Sequence, residues 1–162
     1  MRATRTQLPD GGEWTGGVLS ERATCLLCPN PSPMTLDGTN TWLLSEPGSH
    51  EVVVVDPGPE HPEHLRRIVD EVARQGARVA LTLLTHGHAD HVFSVTPVCG
   101  GELAAYIHTD DRYRLADPLS SSSLGPALSG MLEQQFGKQV TWREPERVVE
   151  IRDSETVTVA GL

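Results

Sequence analysis

The sequence predicts a layered fold of mixed α and β structure, on two observations. Short apolar runs rich in β-branched residues recur along the chain, and one amphipathic helix pattern stands between two of them. Strands that alternate with a helix are typical of α/β and of layered α+β architectures. A length of 162 residues is enough to bury one core, so we expect a single domain.

The first strands follow a Gly-rich segment, residues 1–21, which we interpret as a lead-in or an irregular first edge. Residues 22–29 and 40–46 are short apolar runs on either side of a stretch rich in Pro, Asn and Gly, which predicts two strands joined by a turn. The run "EVVVVDPG" at 51–58 is dominated by β-branched residues and is stopped by Pro and Gly. We therefore expect a strand buried on both faces.

One helix is predicted between this strand and the next. Its apolar residues follow i, i+3, i+4, i+7 spacing and would turn one face to the core: Leu65, Ile68, Val69 and Val72. Pro62 near the first turn and Gly76 at the end are typical helix boundaries. His61 and His64 are spaced closely enough to hold a metal. However, Pro, Glu and Arg surround them, so we predict that they lie on a solvated face.

Further strands are predicted after the helix. Residues 77–85 read as another buried strand, and 103–108 as a shorter one. Residues 117–130 include four consecutive serines and are expected to form a flexible loop or a loosely helical excursion. Three short strands are expected to close the chain: 138–144, 147–151 and 155–162.

The stretch "THGHADH" at 85–91 places three histidines and an aspartate at the end of the predicted strand 77–85. His86 and His88 are two residues apart, so their imidazoles converge only if Gly87 lets the chain bend. Asp90 and His91 follow at the expected start of a helix. Imidazole nitrogens and carboxylate oxygens are ligands that zinc accepts, and a catalytic zinc also keeps one position for water. The pattern predicts a metal site on a strand-to-helix loop.

These residues carry a family resemblance. "THGHADH" closely resembles the metal-binding motif of the metallo-β-lactamase fold superfamily, and "VVVVDPG" is similar to the strand that ends in an aspartate facing the metal loop. "NPSPMTLDGTNTWLL" is similar to the opening hairpin of the glyoxalase II-like and lactamase-β-like hydrolase branch. The resemblance implies a four-layer αββα sandwich of the α+β class. Its metallo-β-lactamase-like domain would span residues 22–162.

The resemblance also implies roles for the cluster. His86 and His88 would bind a first zinc ion, Asp90 and His91 a second, and Asp56 would orient the metal loop through hydrogen bonds. A metal-bound hydroxide, held by Asp90 as the catalytic residue, would then attack an ester, thioester or phosphodiester. In the flavodiiron branch the second histidine is typically a glutamate. The histidine at position 88 therefore favours zinc hydrolysis over oxygen reduction.

Part of the family's site has no match in this sequence. The superfamily adds a third histidine motif, a bridging aspartate and a late histidine, whereas His108 in "YIHTDD" is the one histidine after His91. We therefore expect the chain to be an N-terminal portion of a hydrolase that lacks the C-terminal half of the sandwich. A complete site would hold two zinc ions, whereas four ligands in place of seven would bind metal weakly, with one ion or none in this chain. A natural half-domain that completes itself as a homo-oligomer is the alternative.

Charge and composition bear on substrates and partners. Because some relatives of the lactamase-β-like branch cut RNA, an RNA-cleaving nuclease of the same fold is a rival to hydrolysis of a small molecule or thioester. The formal net charge of −9 counts against the nuclease, since a broad phosphate-binding surface needs clustered Lys and Arg. A non-catalytic binding half-domain is a second rival. No apolar run approaches a membrane span, and three cysteines are too few for a disulfide framework. We expect a cytoplasmic protein with no membrane partner. The sequence assigns no substrate-binding residues.

Overall fold

A computed structural model describes residues 12–120, 130, 133–134 and 141–162. In this part of the chain seven strands form one sheet: β1 Gly16–Ser20, β2 Ala23–Leu27, β3 Asn40–Leu44, β4 Glu51–Val55, β5 Arg78–Leu84, β6 Ala105–His108 and β7 Val148–Ile151. The helices are α1 Pro62–Arg74, α2 Ala89–Val92 and α3 Val95–Cys99, followed by a 3-10 helix at Thr109–Leu115. The predicted α+β class is confirmed, and the last residues of the predicted lead-in form the edge strand β1.

The sheet runs in chain order from β1 to β7, and its pairing changes once, from antiparallel to parallel, at β4. Strands β1 to β4 pair antiparallel, whereas β4, β5, β6 and β7 pair in parallel. Parallel neighbours need a crossover connection, which α1 supplies between β4 and β5, and α2 with α3 between β5 and β6. The carboxyl ends of β4, β5 and β6 consequently meet at one edge of the sheet.

Helix α1 has clear start and stop signals. His61 caps it, and its side chain accepts a hydrogen bond from the backbone N–H of His64. Gly76 follows the last turn with a φ of 65°, a left-handed conformation that glycine adopts without strain. The buried face consists of His64, Ile68 and Val72, spaced i, i+4, i+8, and Val69 is 64% exposed. The core position predicted for Val69 and the solvated position predicted for His64 are therefore wrong.

Acidification will destabilise the fold through His64. Burial, with the positive charges of Arg67 and His61, lowers the pKa of His64 from 6.5 to about 4, so the folded state binds this proton less readily than the unfolded state. The His64 contribution, about 3 kcal/mol, is fully present above pH 6.5 and is lost as the pH falls toward 4. Urea unfolding across this range, in chelator, measures it. His64→Gln should flatten the profile, whereas His50→Gln, at an exposed histidine, should leave it unchanged.

The strands of the sheet alternate between two faces with a period of two. Val52 and Val54 of β4 pack against Ile68 and Val72 of α1, on what we call the helical face. The neighbouring valines of β4 point to the opposite, open face, where they form a cluster with Leu81 and with Ala160 of the C-terminal segment. The predicted burial of this strand on both faces is thus confirmed.

A second core on the helical face supports the loop after β5. Its buried members come from β5, α2, α3, β6 and the 3-10 helix: Leu84, Ala89, Val92, Phe93, Val95, Cys99, Ala105, Ile107 and Leu115. Trp142 packs on this cluster, with its ring 5.3 Å from that of Phe93, and donates from Nε1 to the Leu115 carbonyl. Short helices that lack length for independent stability are held by this burial.

Two of the three strands predicted for the C-terminal part are wrong in the described residues. Residues 147–151 contain β7, but 141–144 and 155–162 are not strands, and 138–140 lie outside the described part. Among the described residues, the Ala160 carbonyl of segment 155–162 accepts a backbone hydrogen bond from Glu46 N–H, but Glu46 lies beyond the end of β3. This bond therefore does not form a strand ladder. Of the predicted loop 117–130, residues 121–129 also lie outside the described part.

The three cysteines are buried and unpaired, as expected of small apolar side chains. Burial raises the pKa of Cys25 to about 11 and that of Cys28 to about 12, so neither is a reactive thiolate near neutral pH.

Among the described residues, no helix combines the length and the apolar character that a membrane crossing demands.

Candidate metal centre

The histidine cluster lies where β5 leaves the sheet. Strand β5 ends at Leu84, residues 85–88 form a loop, and α2 begins at Ala89. Asp90 and His91 stand in the first turns of α2, as the sequence predicts. Asp56 follows β4, the parallel neighbour of β5, so both strands deliver polar groups to the same edge.

Asp56 connects the end of β4 to the loop of residues 85–88, which we call the metal loop. Its carboxylate, 4% exposed, accepts hydrogen bonds from Thr85 N at 2.8 Å, Thr85 Oγ1 at 2.5 Å and His91 Nδ1 at 2.9 Å. Its φ of 49° is unusual for a residue with a side chain, and the strain places the carboxylate beneath the loop. These hydrogen bonds join the end of β4 to Thr85, at the start of the loop, and to His91 in α2.

These hydrogen bonds decide which nitrogen of each ring carries a proton. His91 donates from Nδ1 to the Asp56 carboxylate, which leaves the lone pair of Nε2 unprotonated in the neutral ring. The hydroxyl proton of Thr85 is used in its bond to Asp56, so Thr85 Oγ1 accepts from His86 Nδ1 at 2.9 Å. His86 Nε2 then carries a lone pair, which accepts a hydrogen bond from His88 Nδ1 at 3.0 Å. One carboxylate thus sets the tautomer of two histidines.

The spacing of the donor atoms fits a divalent cation. Ligand atoms of Asp56, His86 and His91 all lie within 4.8 Å of one another. His86 Nε2 is 3.0 Å from His88 Nδ1, and His91 Nε2 is 3.3 Å from an Asp90 carboxylate oxygen. Two ligands on one tetrahedral zinc lie about 3.3 Å apart, from bond lengths of about 2.0–2.1 Å. Imidazole and carboxylate donors at these separations suit zinc and comparable metals.

The two partly buried histidines have opposite electrostatic surroundings. Burial and the positive charges of His91 and His88 lower the pKa of His86. Burial would also lower the pKa of His91, but the hydrogen bond to Asp56 and the negative charges of Asp90 and Asp56 outweigh it and raise that pKa. The negative side of the cluster therefore lies around His91 and Asp90.

Asp90 is held by residues far away in sequence. Thr39, just before β3, donates from Oγ1 to Asp90 Oδ2 at 3.1 Å. Thr39 is in turn fixed by Asn30, which donates from Nδ2 to its hydroxyl and accepts from its backbone N–H. Asn30 and Thr39 are each 4% exposed. This buried pair restricts the carboxylate expected to act in catalysis.

Gly87 has a different role from the predicted one. It does not adopt a positive φ, so no unusual bend requires glycine there. A Cβ at Gly87 would lie 2.4 Å from Arg114 Cβ, which excludes any side chain. The backbone N–H of Gly87 donates to Asp111, and Arg114 Nε binds the other oxygen of Asp111 at 2.6 Å. The 3-10 helix after β6 therefore holds the metal loop at Gly87, the residue between His86 and His88, and we call this contact the Asp111 clamp.

Sequence reasoning missed these supports because they act across the fold. Asn30, Thr39 and Asp111 carry no local motif; the one available signal was Thr85, directly before the first histidine of "THGHADH". His108, at the end of β6, accepts from Asp110 N at 3.2 Å, so it is a strand-end histidine with a backbone partner.

Comparison with known proteins identifies the family. The family model described as the metallo-beta-lactamase superfamily matches residues 34–162. The chain belongs to the metallo-beta-lactamase superfamily. An uncharacterized protein of Mycobacterium tuberculosis is 36% identical over 132 residues, which cover 80% of this chain and 54% of that protein. The chain spans about half the length of the curated relatives it matches most extensively.

Solved structures of the superfamily share the fold. The metallo-beta-lactamase family protein TTHA1429 from Thermus thermophilus has a TM-score of 0.62 at 23% identity, with 89% of this chain and 50% of that one covered. TTHA1623, solved in a di-iron-bound form, has a TM-score of 0.53 at 21% identity, with 79% and 55% covered. In both comparisons, this chain aligns with about half of the solved chain.

Proposed function

We propose that this chain carries the first half of a metal-dependent hydrolase site. His86 and His88 would hold one metal ion, Asp90 and His91 a second, and Asp56 would orient the loop that bears them. One observation carries the proposal. Hydrogen bonds from His91 to Asp56, and from His86 to Thr85, leave Nε2 unprotonated on both rings, and one ligand atom each of Asp56, His86 and His91 lies within 4.8 Å of the others.

Zinc is the metal we propose, with an ester, thioester or phosphodiester as the substrate class. When bound, such a metal lowers the pKa of a water molecule and polarises the oxygen of the bond to be cleaved. Asp90 would accept the proton that the water loses, and its hydrogen bond from Thr39 keeps its carboxylate aimed at the loop. A solved relative is described as di-iron-bound, so the metal must be measured rather than assumed.

Elemental analysis of the purified chain, after dialysis against chelator-free buffer, tests the metal half of the proposal. We expect zinc to be retained, up to about two ions per chain. His86→Ala should lose most of it because this residue contributes a lone pair fixed by Thr85. His50→Ala, at an exposed histidine outside the cluster, is the matched control. Equal metal content in all three proteins would contradict the proposed site.

Hydrolysis of an aryl ester, a thioester and a phosphodiester in parallel tests the chemical half. We expect Asp90→Asn to lower turnover of the preferred substrate by about 100-fold or more, the loss typical of a general base. A metal-loaded chain that hydrolyses none of them would favour the non-catalytic binding half-domain. Salt-sensitive RNA cleavage would favour the nuclease, although the net charge of −9 argues against it.

A further inference from the structure

We infer that His64 is a positioning residue for the metal loop, acting through Thr41 on Asp56 and directly on Gly58. His64 lies in the first turn of α1, faces the sheet and is fully buried. It is not one of the proposed metal ligands. Its ring contacts Thr41, which is bonded to the Asp56 carbonyl, and lies close to Gly58. The inference rests on the proposed function for its metal-binding readout.

The first contact chain passes through a hydroxyl. Thr41 Oγ1 lies 2.8 Å from His64 Nε2 and donates its own proton to the Asp56 carbonyl at 2.6 Å. Since a hydroxyl has one proton, the bond to His64 can form only if Nε2–H donates to Thr41. His64 therefore locks the Thr41 hydroxyl in the orientation that binds Asp56, at the residue whose strained φ of 49° aims the carboxylate.

The second contact is steric. Gly58, with a φ of 87°, brings its Cα so close that an added Cβ would lie 3.2 Å from the His64 ring. Gly58 in turn donates from N–H to the His91 carbonyl at 3.1 Å and accepts from Ser94 N–H at 2.9 Å. The imidazole thus packs directly beneath the turn that is bonded to α2, the helix with Asp90 and His91.

The second ring nitrogen of His64 makes a buried histidine unfavourable at this core position. His64 Nδ1 is buried and has no hydrogen-bond partner within the described residues. An unpartnered buried nitrogen is unfavourable, and a leucine would fill the same space without it. The lowered pKa of about 4 keeps the ring neutral near pH 7, so Nδ1 remains an unprotonated acceptor while Nε2–H donates to Thr41. The positioning role accounts for a polar ring at this place.

Two variants separate hydrogen bonding from packing. His64→Leu removes the donor to Thr41 and retains apolar volume, whereas His64→Gln retains an N–H donor at about the Nε2 position. We expect His64→Leu to weaken zinc binding about tenfold in a chelator competition and to alter the visible spectrum of bound Co²⁺. His64→Gln should restore both. Thr41→Val should match His64→Leu, and the double variant should be no worse than either.

A measurement on the metal-free chain keeps this inference distinct from the proposed function. The Thr85 amide donates to Asp56 Oδ1, so its hydrogen exchange reports the position of that carboxylate. We expect His64→Leu to accelerate exchange at Thr85 by about fivefold relative to amides in the centre of β4, and His64→Gln not to. Unchanged Thr85 exchange in His64→Leu would overturn the inference. A wild-type chain without metal would overturn the proposed function alone.

Discussion

Asp56→Asn will weaken zinc binding by about 100-fold while the fold survives, because the substitution reverses the tautomer of His91. The carboxylate accepts the Nδ1 proton of His91 at 2.9 Å. An asparagine amide of the same size, keeping the bond from Thr85 N–H with its oxygen, would present N–H to that nitrogen. The ring would then carry its proton on Nε2, the atom that the proposed site needs as a lone pair.

Zinc affinity by chelator competition, together with the nitrogen chemical shifts of His91 in the metal-free chain, measures this effect. Asp70→Asn is the matched control, since Asp70 is an exposed carboxylate on α1. Its zinc affinity should equal that of the wild type. An Asp56→Asn variant that binds zinc normally, with Nδ1 of His91 still protonated, would show that Asp56 does not set the tautomer.

Gly87→Ala will displace the metal loop although alanine is the smallest possible addition. The new methyl group would lie 2.4 Å from Arg114 Cβ, and neither atom can move away by side-chain rotation. Either the loop or the 3-10 helix must shift, which would break the bond from Gly87 N–H to Asp111. We expect a loss of about 1–3 kcal/mol in the free energy of unfolding, typical of overpacking, together with weakened metal binding.

Urea unfolding in chelator and zinc competition measure the two consequences. Gly130→Ala is the control, because within the described residues an added methyl there meets open space and its φ is not left-handed. A second variant tests the cause: adding Arg114→Gly to Gly87→Ala removes the opposing Cβ and should recover part of the lost zinc affinity. A Gly87→Ala chain with unchanged stability and zinc affinity would contradict the clamp.

Much of the fold followed from local sequence patterns. Strands β2 to β7 and the extent of α1 were predicted because periodicity, turn residues and helix caps are local signals. The buried face of α1 was partly wrong, because apolar spacing could not show that the sheet selects His64 in place of Val69. The segment 155–162 has strand-like composition, but a strand also needs a partner to bond.

The candidate site was also predicted only in part from the sequence. Its central motif could be read directly, since "THGHADH" is contiguous. The groups that orient it could not, because the hydrogen bond from Thr39 to Asp90 joins residues 51 positions apart and the hydrogen bond from Gly87 to Asp111 joins residues 24 positions apart. Such pairs are specified by strand order and register, which no single local window contains.

The chain order of the sheet has a consequence for synthesis. Among the described residues, each strand from β2 to β7 pairs with the strand before it, so each ladder can close as soon as the next strand leaves the ribosome. Asp56, the histidine cluster and the Asp111 clamp all belong to the stretch from β4 through the 3-10 helix, residues 51–115. The loop with the histidine cluster can therefore assume its shape on the nascent chain, before β7 has been made.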